Sequence, residues 1–276
     1  LGFTGGEALL RRDALDLLRR AHELGLETSV VTNGYPLDDE RAARLAEYGV
    51  FTYLSMDGAA KKTHQRIRGE GSWEVLLEAV ENLRRAGAKF GTVMAAGKWN
   101  YHEVSEYVAR AQEMEAAESC IIPVMPSGRA SSKSILTPLQ MMNVVEATGR
   151  VADRLKFHVS LWCTPFARLV TRSHYVSASS CRAESGLDIS PQGDVLLCDV
   201  LDITISDVRD KGLEDAWVES ERHTLSRELT RPDLAQPCLD CRLRRTCRGG
   251  CYARAKLLLG DLFQPDPLCP RVGGLI

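Results

Sequence analysis

The chain has 276 residues, of which 44% are hydrophobic and 26% are charged, so it can bury the core of one large domain with a smaller module beside it. The net charge of -2 leaves no basic surplus, and we therefore expect no nucleic-acid or membrane-surface partner. No apolar run approaches the roughly 18 residues that a membrane span needs.

The first seven residues, LGFTGGE, predict the tail of a strand that runs into a glycine turn. Leu1 is not a start methionine, and no residues precede it to begin that strand, so we expect the printed chain to be a fragment with an incomplete first strand. Apolar residues then recur at helical spacing from Leu9 to Leu24, and Gly25 predicts the end of that helix.

Short apolar strands alternate with amphipathic helices over the next part of the chain. Strands are predicted at residues 26–32, 50–56, 89–95, 120–124 and 157–162. Helices are predicted from Asp39 to Tyr48, from a capping Ser72 to Gly87, from a capping box at Asn100 and Glu103 to Ala117, and over about 18 residues from the capping box that begins at Thr137. This alternation indicates an α/β fold with a parallel sheet, either a barrel or a doubly wound sheet.

Polar segments follow four of the predicted strands. They are Thr4-Gly5-Gly6-Glu7, Thr32-Asn33-Gly34, Ser55-Met56-Asp57-Gly58 and Pro126-Ser127-Gly128-Arg129. Any one of them alone is explained by an ordinary turn, since Asn-Gly and Asp-Gly are common turn dipeptides. The carboxyl ends of parallel strands meet at one edge, however, so four such segments favour a ligand site there.

The character of the chain changes beyond Trp162. Helical periodicity weakens, and seven of the nine cysteines lie between Cys181 and Cys269. Residues 187–198 predict a β-hairpin around a Pro-Gln-Gly-Asp turn. We predict two domains, with residues 1–165 forming the β/α domain and residues 166–276 a small cysteine-rich α+β module.

Five cysteines from Cys238 to Cys269 have the spacing C-x2-C-x5-C-x3-C-x17-C. Disulfides are typical of small secreted domains, whereas these cysteines follow a large β/α body of the kind found in intracellular enzymes. Zinc stays open because C-x2-C is a common half-site. Iron–sulfur clusters are favoured, since two clusters with up to four thiolates each use seven or eight cysteines, and the glycines between Cys247 and Cys251 would let backbone N–H groups approach the sulfurs.

The ordered motifs resemble those of radical S-adenosylmethionine enzymes that carry a C-terminal SPASM domain. The resemblance covers the pattern Cys181-x11-Gly193-x4-Cys198, the five cysteines that follow, and the GGE, TNG and S-x-D-G segments in the same order. His64 and the Arg66–Gly69 segment resemble the residues that follow S-x-D-G in many members. The resemblance implies a partial (β/α)6 TIM-like barrel, lacking its first strand and cluster loop, and then a small α+β module.

The resemblance also implies cofactors and their ligands. Gly5, Gly6 and Glu7 would lie near the methionyl amino group of S-adenosylmethionine. Further contacts to the same molecule are expected from Ser29, Asn33, Ser55 and Arg68, and more weakly from Asp57. Two auxiliary [4Fe-4S] clusters would be bound, one by Cys238, Cys241, Cys247 and Cys269, and the other by Cys181, Cys198 and Cys251 with Cys163 as fourth ligand. Cys120, on a predicted strand, is expected to be a buried apolar residue, and no histidine is predicted as a ligand.

One family motif is absent from this chain. The C-x3-C-x2-C ligands of the catalytic cluster lie upstream of GGE in the family, so the chain as printed is expected to be inactive and a longer parent chain to hold a third cluster. That cluster reduces S-adenosylmethionine and releases a 5'-deoxyadenosyl radical.

The resemblance narrows the function to a few alternatives. The first is a cytoplasmic oxidoreductase or maturase that abstracts hydrogen from a ribosomally made peptide, with ferredoxin or flavodoxin as electron donor. The alternative is a haem-biosynthesis enzyme that modifies tetrapyrrole side chains, which the tail CRLRRTCRGGCYARAKLLLGD also resembles. A third reading, from a different class, is a non-catalytic zinc- or cluster-binding module.

Overall fold

The computed structural model describes residues 1–178, 180–181 and 186–276. It divides into two compact units. The first unit comprises Leu1–Ile122, Glu146–Ser160 and Arg172–Ser177, and the second comprises Pro123–Val145, Leu161–Thr171 and Ala178–Ile276. The domain boundary that we place between residues 165 and 166 stays a prediction.

The larger sheet has seven strands, each beside its successor in the chain. They are β1 (Gly2–Phe3), β2 (Ser29–Thr32), β3 (Phe51–Ser55), β4 (Phe90–Ala96), β5 (Ser119–Pro123), β6 (Val159–Leu161) and β7 (Val176–Ser177). The sheet is parallel, with Ser29 opposite Phe51 and Thr52 opposite Phe90. A sequential order is that of a β/α barrel and not of a doubly wound sheet, whose order reverses.

The α/β class is confirmed, but the strand count of six is corrected to seven. The additional strand is β7, in a Ser-rich segment where no periodic element is predicted, and two residues are too few to show a period of two. Among the described residues no pairing closes the sheet from β7 back to β1.

Six helices accompany this sheet. They are α1 (Ala14–Glu23), α2 (Asp39–Glu47), α3 (Lys61–Arg68), α4 (Ser72–Ala86), α5 (Val104–Glu113) and α6 (Pro138–Leu155). The capping box that begins α6 is confirmed, because the Thr137 and Gln140 side chains each accept the other's backbone N–H. Leu18, Leu54, Leu76 and Met94, all at most 1% exposed, anchor the first unit's core.

Three details of the predicted helices are wrong. Helix α3 is absent from the predicted elements. Helix α4 begins one residue earlier than a Ser72 cap implies, since Gly71 precedes it at the cap position. Asn100 does not cap a helix, and its amide instead donates to the backbone oxygens of Asp57 and Ala95.

The second unit contains a three-stranded antiparallel sheet in the order β10-β9-β8. Its strands are β8 (Asp188–Ile189), β9 (Asp194–Leu196) and β10 (Thr204–Asp207), so the predicted hairpin is confirmed. Its later helices are α7 (Val208–Arg222), α8 (Thr224–Thr230), α9 (Arg244–Cys247) and α10 (Tyr252–Leu259). Val195, Ile205, Ala216, Leu229 and Tyr252 pack in its core. No helix in the described ranges is both long and apolar enough for a membrane span.

Candidate functional site

The Glu7 carboxylate joins two of the polar segments at the carboxyl edge of the parallel sheet. Its Oε1 accepts from Thr32 Oγ1 at 2.8 Å and its Oε2 accepts from the Asn33 backbone N–H at 2.7 Å. Thr32 Oγ1 in turn accepts from the Gly34 N–H at 3.1 Å. The GGE and TNG segments are therefore one hydrogen-bonded unit.

Gly5 and Gly6 precede that carboxylate at an open position. Gly5 has φ +127°, a conformation that L side chains rarely adopt, and a Cβ on either glycine would meet no heavy atom within 4 Å. The open space beside Glu7 is where the backbone can approach a ligand closely.

Asp57 is a buried junction between β3, β4 and α3. Its side chain is 3% exposed, with Oδ2 accepting from Arg68 Nε at 2.7 Å and Oδ1 accepting from the Ala95 N–H at 2.7 Å. Its backbone N–H donates to His64 Nδ1 at 3.2 Å. Both carboxylate oxygens are thus engaged within the unit, and the residue holds Arg68 in place.

Helix α3 places Arg68 at its last residue, and Gly58 makes the approach of this helix possible. A Cβ on Gly58 would lie 2.6 Å from the His64 backbone nitrogen, so a side chain there would push α3 away. Arg68 donates only its Nε to the described residues and is 29% exposed, which leaves its two terminal nitrogens available to an anion.

The structure brings together most, but not all, of the predicted S-adenosylmethionine contacts. Gly5, Gly6, Glu7, Asn33, Ser55 and Asp57 all follow or end a strand at the carboxyl edge. Arg68 ends helix α3 and reaches that edge through its bond to Asp57. Ser29 is instead the first residue of β2, about 10 Å along the strand from Thr32. The Asn33 amide oxygen is used within its own turn, since it accepts from the Tyr35 N–H at 2.8 Å.

The eight predicted cluster cysteines form two electrostatic groups in the second unit. All are free thiols. In the first group, burial and then the charges of Cys269, Asp266, Cys238 and Cys241 raise the pKa of Cys247 to about 12. Burial likewise raises the pKa of Cys269 to about 11, with Asp266 and Cys238 adding to it. This group has the same members as the predicted set Cys238, Cys241, Cys247 and Cys269.

The second group contains Cys163, Cys181, Cys198 and Cys251. A hydrogen bond between Cys163 and Cys251 raises the pKa of Cys163, and the charge of Cys181 acts in the same direction. Burial raises the pKa of Cys198, and Cys251 and Cys181 add to that. Cys251 occupies the N-cap position of α10 and Cys163 has φ +51°, so the backbone directs both thiols.

Clustered thiols with raised pKa values need a positive charge before they can all ionise. A metal ion or an iron–sulfur cluster would provide that charge, and free thiols are the donors that such a cofactor binds, so the donor chemistry of both groups fits one. Among the described residues, the group of three or more donor atoms that lie within 4.8 Å of one another is Asp188, Cys198 and Asp199. The sulfur atoms of four thiolates around one zinc ion would lie only about 3.8 Å apart. Among the described residues, neither thiol group has three sulfur atoms that close together.

Two residues that sequence reasoning missed lie between the thiol groups. Arg254 and Asp266 are fully buried and paired at 2.6 Å. Asp266 Oδ2 also accepts from the Cys251 N–H at 2.9 Å, and a Cβ on Gly250 would lie 2.2 Å from Asp266 Cβ. Asp266 thus occupies the space beside Gly250 that we expected to serve a cluster sulfur. In the sequence, the adjacent glycines Gly249 and Gly250 were the only sign that another side chain packs closely against the backbone here.

Cys120 is a buried strand residue as predicted, with no exposed surface and a pKa raised by burial.

Comparisons with known proteins find two domain families along the chain. The Radical SAM superfamily model matches residues 1–111, and the SPASM model, an iron-sulfur cluster-binding domain, matches residues 181–242. Mycofactocin maturase MftC of Mycolicibacterium smegmatis is 32% identical over 98% of this chain and 70% of its own length. AdoMet-dependent heme synthase of Methanosarcina barkeri is 26% identical over 97% of this chain and 81% of its own length.

A solved structure shows the same fold. Native anSMEcpe with bound AdoMet has a TM-score of 0.74 and 19% identity, over 99% of this chain and 80% of that one. The chain belongs to the radical SAM superfamily, among the enzymes that carry a SPASM domain. Membership implies AdoMet, which is S-adenosylmethionine, and iron–sulfur clusters as cofactors.

Proposed function

We propose that this protein is a peptide maturase that abstracts hydrogen from a ribosomally made precursor peptide. The observation that carries the proposal is the 32% identity to a mycofactocin maturase across 98% of the chain. The radical derived from S-adenosylmethionine supplies the abstraction, and the residues of this chain hold that molecule and the auxiliary clusters.

In this proposal S-adenosylmethionine binds at the carboxyl edge of the sheet. The Glu7 carboxylate attracts its ammonium group, while Arg68 and Ser55 take its carboxylate. Asp57 acts indirectly, since its side chain is only 3% exposed and one of its oxygens anchors Arg68. Ser29 is left out because it begins β2, at the other end of the strand.

The two thiol groups each hold one auxiliary [4Fe-4S] cluster. These clusters transfer electrons or position the substrate, and ferredoxin or flavodoxin in the cytoplasm delivers the electrons. The free thiols of each group support this assignment, because cysteine thiolates are the usual ligands of such clusters.

A tetrapyrrole is the second candidate substrate. It is favoured by the similarity to an AdoMet-dependent heme synthase over 97% of this chain. The same radical would then attack a tetrapyrrole side chain.

Metal analysis of protein purified without oxygen is the first test. We expect about eight iron atoms and as many acid-labile sulfides in residues 1–276, with broad visible absorption. Zinc in place of iron and sulfide would overturn the cluster assignment.

A turnover experiment separates the two substrates. The full-length protein is reduced with dithionite and given S-adenosylmethionine with either a synthetic precursor peptide encoded beside its gene or a tetrapyrrole carboxylic acid. We expect a mass change in the peptide and 5'-deoxyadenosine formed in proportion. Product from the tetrapyrrole alone would transfer the proposal to the second candidate.

A further inference from the structure

Arg254 in α10 is a fully buried cation with one nitrogen left over. Its Nε donates to Asp266 Oδ1 at 2.9 Å, and its Nη2 donates to Asp266 Oδ2 at 2.6 Å and to the Cys163 backbone oxygen at 2.7 Å. The remaining nitrogen, Nη1, is buried and has no hydrogen-bond partner within the described part of the chain. A buried donor without a partner is costly, so such groups are rare unless a ligand or water completes them.

The guanidinium lies beside the second thiol group. Burial lowers the pKa of Arg254, but the charges of Asp266, Cys251 and Cys163 outweigh it. Cys251 caps α10 and Arg254 follows three residues later, so both lie on the same face of that helix. The Cys163 backbone oxygen binds the same guanidinium. The guanidinium that carries the unpaired Nη1 therefore lies next to two of the four proposed cluster ligands, Cys163 and Cys251.

Asp266 connects the same cation to the other thiol group. It fixes the fork of Arg254 with both oxygens, and its backbone oxygen accepts from the Cys269 N–H at 3.0 Å. Its charge also acts on Cys247. The pair is thus held rigidly between the ligands of both proposed clusters.

A purely structural ion pair does not explain the leftover donor. A carboxylate and a backbone carbonyl satisfy Nε and Nη2 completely, and a shorter cation would serve that purpose without burying another nitrogen. A cluster sulfur is an acceptor that only the loaded protein provides, and hydrogen bonds to cluster sulfurs tune the cluster.

We propose that Arg254 is a positioning residue whose Nη1 donates a hydrogen bond to a sulfur of the cluster held by Cys163, Cys181, Cys198 and Cys251. This inference rests on the proposed function, because it requires that cluster. A donor and a positive charge beside a cluster stabilise its reduced, more negative state, so Arg254 raises the reduction potential of that cluster. Asp266 keeps the guanidinium in the orientation that makes the bond.

The test compares cluster potentials in anaerobically purified protein, followed by electron paramagnetic resonance during a dithionite titration. Arg254→Lys keeps the positive charge but removes the planar guanidinium with its paired N–H donors. In the double variant Arg254→Gln, Asp266→Asn the net charge stays equal to that of the wild type while the guanidinium donor is removed. Arg245→Gln is the control, since Arg245 is exposed in the same module and its loss changes only charge.

We expect the double variant to keep the iron and sulfide of the wild type and to lower the potential of one auxiliary cluster, with a smaller decrease in Arg254→Lys. Loss of that one cluster with the other retained would assign the pair to holding the cluster in place and would overturn the proposed hydrogen bond as what sets its potential. Potentials equal to those of the control would overturn it, as would unfolding of both variants, which would assign the pair to folding alone. A wild type without iron and sulfide would instead refute the proposed function itself.

Discussion

The two cofactor regions differ in how their polar groups are satisfied without a ligand. At the sheet edge, the Glu7 carboxylate is bound by Thr32 and Asn33, and Asp57 is bound by Arg68 and Ala95. In the cysteine module, burial is the main cause that raises the pKa values of Cys198 and Cys247, whereas a hydrogen bond with Cys163 lowers the pKa of Cys251 to about 7. The carboxylates of the first region have their partners within the chain, whereas the thiols need more positive charge than the buried Arg254 supplies before they can all ionise.

This difference assigns different tasks to the two regions. A site whose hydrogen bonds are already made is pre-organised, so a ligand there gains affinity because little has to be ordered on binding. A site of clustered thiols gains stability from its cofactor, since binding free energy becomes folding free energy. We therefore expect the loss of cofactor to leave the first unit folded and to destabilise the second.

The largest expected effect comes from removing iron with a chelator after oxidation. Hydrogen exchange followed by mass spectrometry is expected to show loss of protection in β9, β10 and α10, with protection in β2 to β4 retained. The physical reason is that the thiol groups lose the charge that lets them pack together.

Cys120→Ala is the control for that experiment, because Cys120 is a fully buried thiol that lies on β5, outside both thiol groups. It is expected to keep its full iron content and to lose about 1 kcal/mol of stability from the cavity. Unchanged protection of the second unit after iron removal would show that the two regions do not differ in this way.

A smaller effect is expected from Asp57→Asn in the first unit. The amide keeps the shape but leaves Arg68 without its anion, and we expect a loss of about 2 kcal/mol in urea unfolding. Because Arg68 loses its anchor, we also expect about tenfold weaker binding of S-adenosylmethionine in calorimetry. The control Glu74→Gln, which removes an exposed partner of Lys61, is expected to change neither quantity. Unaltered affinity in Asp57→Asn would separate Asp57 from ligand binding.

Glu7→Gln tests the junction of the GGE and TNG segments. Oε1 accepts from the Leu9 N–H as well as the Thr32 hydroxyl, and Oε2 accepts from the Asn33 N–H, so in either orientation the amide nitrogen would face a backbone donor and a charge-assisted hydrogen bond is lost, at a cost of about 1.5 kcal/mol. Urea unfolding measures this cost, with exposed Glu27→Gln as the control. A Glu7 variant as stable as the control would mean that the two segments hold their positions independently.

Much of this organisation is visible in the sequence because it depends on local spacing. The Thr137 and Gln140 cap, the hairpin of β8 and β9, and the alternation of strands and helices all lie within short windows. The partition of the cysteines came instead from the resemblance to a family.

The missed features depend on contacts between distant residues. Helix α3, KKTHQRIR, has little apolar periodicity, and it is held by the Asp57 contacts to His64 and Arg68. Asn100 matches a capping box in sequence, but its amide is needed by the backbone of Asp57 and Ala95. The Arg254 and Asp266 pair spans 12 positions and resembles two ordinary charged residues until the fold buries both.

The smallest expected effect is a pH dependence that belongs to the first unit. Burial lowers the pKa of His64 from its ordinary 6.5, and the Arg68 charge lowers it further against the opposing charge of Asp57. The unfolded chain therefore binds more protons than the folded one below about pH 6.5. The contribution of neutral His64 to stability is thus full above that pH and is lost as the pH falls through the pKa of the folded state.

His64→Asn keeps an acceptor for the Asp57 N–H and removes the titration of this side chain. Urea unfolding between pH 5 and 8 is expected to show a shallower decline for this variant than for the wild type or for exposed His174→Asn. Identical slopes in all three proteins would mean that His64 has the same pKa in the folded and the unfolded chain. The contacts around Asp57 would then not disfavour a positive charge on His64.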